Sequence, residues 1–208
     1  MRTFTLALAM AFAIMTGAPA RAGDAPLVVV ELYTSQGCSS CPPVDALLAE
    51  LATREDVLPL ALHVDYWDYI GWADTFGRPA HTARQKAYVR VAGGGHVYTP
   101  QMVVGGVEHI VGYKPMKLAD LLTKHRAEMG EVALTAVAEG NRIRVTAGPT
   151  AGAALPDRIM IDIVGYIPLA EVAIAHGENA GETITYANIV TSWVHAGRWD
   201  GQGAVELT

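Results

Sequence analysis

Of 208 residues, 51% are apolar and 17% charged, and the formal net charge is −6. Such a chain has the material for a buried core, which excludes a disordered segment, and its acidic balance disfavours nucleic acid as a partner. Two cysteines, Cys38 and Cys41, invite the plain reading of one structural disulfide, which their close spacing argues against.

The first residues read as an export signal. Arg2 supplies a positive start, Phe4 to Met15 an apolar stretch, and Ala20-Arg21-Ala22 a small-x-small cleavage site. The apolar run is shorter than the roughly 18 to 20 residues that a membrane-spanning helix needs, and Gly17 and Pro19 follow it, so no permanent membrane anchor is expected. Cleavage after Ala22 removes two arginines and no acid, taking the net charge from −6 to −8. The expected location is the periplasm or the medium.

Leu27 to Tyr33 is a β-branched apolar run of strand length, and its near-continuous apolarity predicts burial on both faces. A short loop, Thr34 to Ser40, leads to Pro42 and Pro43 and then to Val44, Leu47, Leu48 and Leu51 at helical spacing. Val57 to Asp65 is a second apolar run with Pro59 near its start, and a parallel β-α-β unit follows from the three segments. The stretch from Asp65 to Gly95 reads as an insertion. It opens with Tyr66, Trp67, Tyr69 and Trp72, then offers a helix with Thr82 and Gln85 in a capping-box pattern, ended by Gly93-Gly94-Gly95. Gln101 to Val104 and Val107 to Val111 flank Gly105-Gly106, a two-residue hairpin signal. Leu118, Leu121, Leu122 and His125 mark one face of a last helix. From Glu131 the pattern changes to short strands at Arg142 to Thr146, Arg158 to Ile167, Glu171 to Ala175 and Thr183 to Val190.

The chemistry concentrates in Ser35-Gln-Gly-Cys38-Ser-Ser-Cys41-Pro-Pro43, where strand hands over to helix. A thiol there faces unpaired backbone N–H groups and the positive end of the helix dipole, both of which favour the nucleophilic thiolate. Cys38, the outer cysteine, is the candidate nucleophile. Cys41, inside the first turn and more buried, is the candidate resolving thiol. A bridge between them closes a very small loop and removes little freedom from the unfolded chain, which makes pure stabilisation a poor explanation for the pair. His63, Asp65, Tyr66 and Trp67 fall at the C-terminal end of the second strand, where α/β proteins place their sites. Packing is the plainer reading of His63 and of the tryptophans, and capping or surface contact that of Arg84 and Gln85.

Strand, Cys-x-x-Cys at a helix start, strand, insertion, then Thr99-Pro100 leading a hairpin and a helix: this order resembles the thioredoxin fold. The resemblance implies a cis Pro100 facing the dithiol, with Tyr98, Thr99 and Trp67 beside an extended substrate. Without it, a proline at a strand start is equally a plain edge feature. More closely, Glu31 to Pro43, His63-Val-Asp-Tyr-Trp-Asp68, Thr82-Ala-Arg-Gln85, Val97-Tyr-Thr-Pro-Gln101 and Gly177-Glu-Asn-Ala-Gly181 resemble DUF1223, a family of bacterial secreted proteins. Gly37 stands before the first cysteine where thioredoxins typically carry Trp, and Ser-Ser stands between the cysteines in place of Gly-Pro, so the resemblance implies neither a redox potential nor a partner set.

The expected architecture is α/β: a signal peptide over residues 1–22, a thioredoxin-like domain with a helical insertion over 23–130, and a C-terminal antiparallel β module over 131–208 packed on it. The expected activity is dithiol–disulfide exchange with thiols or disulfides of other exported proteins, through Cys38, Cys41 and Pro100, with no cofactor and no metal. Two alternatives stand beside it. One is a soft-metal protein holding Cu(I) with both thiolates and His63 or His96. The other is a non-catalytic interaction module with a static disulfide.

Overall fold

The structure is a computed structural model that describes residues 26–128 and 130–208; the expected export signal lies outside the described residues. Among the described residues no helix is long and apolar enough to cross a membrane.

The fold is mixed α/β. Strand β1 (Val28–Thr34) is buried almost throughout and sits between a parallel neighbour, β2 (Val57–His63), and an antiparallel one, β3 (Gln101–Val104). Its side chains alternate between two cores, as the two-residue period of a strand requires. Val28, Val30 and Leu32 join Val44, Leu48 and Leu51 of helix α1 (Pro42–Leu51) and Leu118 and Leu122 of a later helix, Pro115–Ala127. Tyr33 joins Leu60, Leu62 and Val64 on the opposite face, beside Tyr88 of helix α2 (Pro79–Val91). The later helix is α3, and strand β4 (Glu108–Val111) precedes it, antiparallel to β3 across a turn one residue longer than the Gly105-Gly106 pair predicts. Helix α2 begins four residues earlier than the Thr82 capping pattern suggests: Pro79 opens it, and the Thr82 hydroxyl, inside the helix, donates to Asp65 Oδ1 at 2.5 Å.

The C-terminal stretch supplies strands to both sheets. Three of them, β5 (Val132–Glu139), β6 (Arg142–Pro149) and β9 (Val205–Leu207), form an antiparallel sheet of their own. The other two, β7 (Ile159–Ala173) and β8 (Thr183–Trp199), extend the main sheet to the order β4-β3-β1-β2-β8-β7. Residue 130 is therefore not a boundary between sheets. Arg158–Ile167 and Glu171–Ala175 fuse into one strand despite Pro168, because β7 is an edge strand, where a missing N–H donor is tolerated. Register shifts at Ile161/Asp162 and Gly165/Tyr166 bend the long hairpin. Its outer end packs Ile161 and Trp199 against Val145 and Ala147 of the small sheet. At its inner end β8 meets β2 in parallel at Ala61 and Ile189, and Asn188, at φ 48°, donates its amide to the Pro59 carbonyl at 2.9 Å. That contact is what seats the C-terminal hairpin beside the first β-α-β unit.

Candidate functional site

Cys38 and Cys41 form a disulfide, Cα atoms 5.4 Å apart, in the loop joining β1 to α1. Cys41 is the N-cap of α1: its carbonyl accepts from the N–H groups of Val44 at 2.8 Å and Asp45 at 3.0 Å, while its own N–H donates to the Cys38 carbonyl at 3.1 Å. Pro42 occupies the first helical position, where its missing donor is no loss. Ser39 and Ser40 are exposed, yet Cys38 is 2% exposed and Cys41 0%. The outer cysteine is thus scarcely more open than the inner one, a difference from the expected gradient between them.

The reason is the cage around the loop. Gln36 N–H donates to Asp74 Oδ2 at 2.8 Å; the Gln36 side chain accepts from Trp72 Nε1 at 2.8 Å and donates to Thr75 Oγ1 at 2.8 Å. From the β7–β8 turn, Asn179 Nδ2 donates to the carbonyls of Gln36 at 2.8 Å and Cys38 at 3.1 Å, and Glu178 Oε2 accepts the Ser39 N–H at 3.2 Å. A Cβ on Gly37 would lie 3.0 Å from Ile70 Cδ1 and 3.3 Å from Trp67 Cβ, so a larger residue there would have to push the aromatic segment aside.

Trp67 ties the two predicted halves of the site together. It packs on Gly37, next to Cys38, while its Nε1 donates to Thr99 Oγ1 at 2.7 Å, next to Pro100. The Thr99–Pro100 bond is cis and Pro100 is buried. Gln85 Nε2 donates to the Tyr98 carbonyl at 2.7 Å and Gly112 N–H to the Pro100 carbonyl at 3.0 Å, pinning the loop on both sides. Gln85 is 0% exposed, so it is an internal strut and not the cap or surface contact its sequence context suggested. Tyr69, exposed, stacks on Trp67 with ring centroids 6.4 Å apart and extends the aromatic surface outward.

His63 is packed, as the plainer reading of it held. It is fully buried between Phe76 and Tyr186, with Nδ1 2.8 Å from Asp74 Oδ2. His96 is exposed in the loop after α2. Among the described residues no group of three His, Cys, Asp or Glu side chains is arranged to hold a metal ion.

Three residues at the site carry no role in the sequence reading. Asp45 sits one helical turn behind Cys41, 3% exposed, and neither of its oxygens accepts a hydrogen bond from any described residue. Burial pushes its carboxyl up to about 7, against which His63 and the nearby Thr34 hydroxyl pull it down. An acid in place of an apolar residue on the inner face of α1 is the signal that points to it. Glu178 and Asn179 lie in the Gly177–Gly181 string, whose position on the Cys38 loop depends on the long β7–β8 hairpin and leaves no local mark.

Fold and site together define a mixed α/β protein with a Cys-x-x-Cys disulfide at a strand-to-helix turn, closed over by an aromatic insertion and a C-terminal hairpin. The chain belongs to the family described as "Protein of unknown function (DUF1223)", whose profile matches residues 29–208. Among solved structures it is similar to protein AGR_C_4864 from Agrobacterium tumefaciens, 31% identical with a TM-score of 0.75 over 89% of this chain and 80% of that one. HBP35 of Porphyromonas gingivalis is similar in fold alone, at 13% identity and a TM-score of 0.58 over 89% of this chain and 64% of that one. No curated protein sequence matches the chain.

Proposed function

We propose that this protein is an exported, thioredoxin-like protein that exchanges disulfides with thiols or disulfides of other cell-envelope proteins through Cys38 and Cys41. The observation that carries the reading is the disulfide at the head of α1, joined through Trp67 to the Thr99–Pro100 loop. In the oxidised form a partner thiolate attacks Cys38 Sγ, the Cys38–Cys41 bond breaks, and Cys41 leaves as a thiolate. A second partner thiol then attacks the mixed disulfide, so the partner gains the disulfide and the Cys38–Cys41 pair gains two electrons and two protons. Run in reverse, the same steps reduce a partner. The N-terminal end of α1 stabilises the thiolate that each direction requires. Because Cys38 is 2% exposed, attack requires the covering segments to move aside, which restricts exchange to partners that engage the aromatic surface around Trp67 and Tyr69.

The test is to trap the mixed disulfide. In the native envelope the Cys41→Ser variant accumulates reducible, higher-mass adducts through Cys38, and the Cys38→Ser variant does not. Equal adduct patterns from both variants would overturn exchange in favour of a static disulfide.

A further inference from the structure

The β7–β8 turn reaches the Cys38 loop from 139 residues further along the chain. It is built to hold its place. Ile174 N–H donates to the Glu182 carbonyl at 2.9 Å and Gly181 N–H to the Ile174 carbonyl at 2.8 Å, closing the turn on itself. Gly177 takes φ +83°, and a Cβ there would sit 3.3 Å from Trp72 Cβ, so both conformation and space call for glycine. Asn179, 6% exposed, anchors the turn through its two bonds to the Gln36 and Cys38 carbonyls. Glu178 is different: it is exposed and meets only Ser39, accepting the backbone N–H at Oε2 at 3.2 Å with the Ser39 hydroxyl beside it. Anchoring is already complete without it, and an exposed contact of this kind adds little to stability. What it does add is a negative charge at the residue that follows Cys38.

We propose that Glu178 sets the acidity of Cys38 and the reduction potential of the Cys38–Cys41 pair, its carboxylate opposing the thiolate that the α1 N-terminus favours. The inference rests on the exchange reading for its biological use, but not for its measurement. Covalent geometry keeps a carboxylate on the Ser39 N–H within about 8 Å of the Cys38 sulfur, where Coulomb's law in a water-like dielectric gives a little under half a pKa unit, roughly 0.4. The α1 N-terminus and the Asn179 amide face the Cys38 side; behind Cys41 lies Asp45, itself faced by His63 from β2, Asp74 from the loop after it, and Tyr186 from β8. Hydrogen bonds from the side chain and backbone of Ser39 hold Glu178 below the usual carboxylate range, so its charge is present throughout the neutral range. A destabilised thiolate means a less stable dithiol, so the carboxylate favours the disulfide and lowers the potential.

The experiment pairs Glu178→Gln with Glu178→Asp, which keeps the charge. Each is equilibrated with glutathione redox buffers, and Cys38 is titrated by ultraviolet absorbance in the Cys41→Ser background. With Glu178→Gln the Cys38 pKa falls by about 0.4 of a unit. At a pH above the Cys38 pKa, where the thiolate dominates, the reduced-to-oxidised ratio at a fixed glutathione poise rises about 2.5-fold, which for a two-electron couple is about 12 mV upward. Both shifts shrink at about 1 M salt, and Glu178→Asp stays nearer the wild type. An unchanged pKa and potential in a folded Glu178→Gln protein, or shifts of the opposite sign, would overturn the proposal. In the wild-type protein the Ser39 amide resonance follows a carboxyl titration below the ordinary glutamate range; an amide indifferent to that titration overturns it without any variant. Trapped adducts with no Glu178 effect would sink this inference alone, whereas a Glu178 effect with no trapped adducts would sink the exchange reading alone.

Discussion

Two of the buried carboxylates, Glu31 and Asp45, lie on opposite faces of the main sheet, and their surroundings differ completely. On the α2 face, Glu31 accepts from Arg84 Nε and a terminal Arg84 nitrogen at 2.8 and 2.7 Å and from the hydroxyls of Tyr33 and Tyr88, each at 2.8 Å. Arg84 in turn lies 3.8 Å over the Trp193 ring of β8, so the cluster links α2, β1 and the C-terminal hairpin. On the α1 face, Asp45 has no donor in full hydrogen-bond geometry among the described residues; the Thr34 hydroxyl and the His63 ring lie nearby, and Thr34 Oγ1, His63 Nε2 and Tyr186 Oη likewise make no hydrogen bond. A buried charge persists only when paired; an unpaired group holds its proton instead. The Glu31 region is therefore a fixed structural joint, while the Asp45 region, one turn behind Cys41, holds a carboxyl whose proton burial retains above the usual carboxylate range.

The largest effect that can break this contrast comes from pH. Unfolded, the Asp45 carboxyl releases its proton near 3.8; folded, it holds it to about 7. Between those values the native state carries a proton that the unfolded chain has lost, so the contribution of Asp45 to stability falls as pH rises through the window. The fall is at most about 4 kcal/mol. Denaturant titrations across that window, wild type against Asp45→Asn, isolate it: the difference between the two slopes along pH is the Asp45 contribution, and parallel curves would mean that Asp45 is ionised and paired after all. The next effect belongs to the opposite face. Arg84→Ala strands Glu31 with two phenols as its only donors and costs about 3 kcal/mol at neutral pH, with part of the loss recovered in acid as Glu31 takes a proton. A stability unchanged by Arg84→Ala would make the joint dispensable. The smallest effect lies in the segment over Cys38, where Trp67 packs on the α2-face core. Trp67→Phe removes the bond to Thr99 and costs about 1 kcal/mol, with faster alkylation of the reduced Cys38 as the covering segment loosens. An alkylation rate equal to wild type would remove Trp67 from the cover.

The local elements were legible because local pattern determines them. The apolar run before Cys38, the prolines opening α1 and the 3.6-residue period of α1 and α3 need no tertiary help, and the structure places β1, α1 and α3 where those patterns put them. The limits of legibility have equally specific causes. Pro168 argues for a break in a central strand, and only edge position makes it tolerable in β7. Thr82 and Gln85 have the spacing of a capping box; their side chains instead bind Asp65, Tyr98 and Gln101 across the fold.

The same division holds at the site. The sequence by itself determined a dithiol at a strand-to-helix turn, because Cys-x-x-Cys followed by proline after a β-branched run is a short-range signal. Only the tertiary structure decided how that dithiol is surrounded. The closure over Cys38, the unpaired state of Asp45 and the charge of Glu178 beside Ser39 each depend on β8 pairing with β2 at Ala61 and Ile189 and carrying its turn back to the Cys38 loop. Contacts between segments so far apart follow from how buried surfaces fit and not from any local preference, so a pattern read along the chain does not contain them.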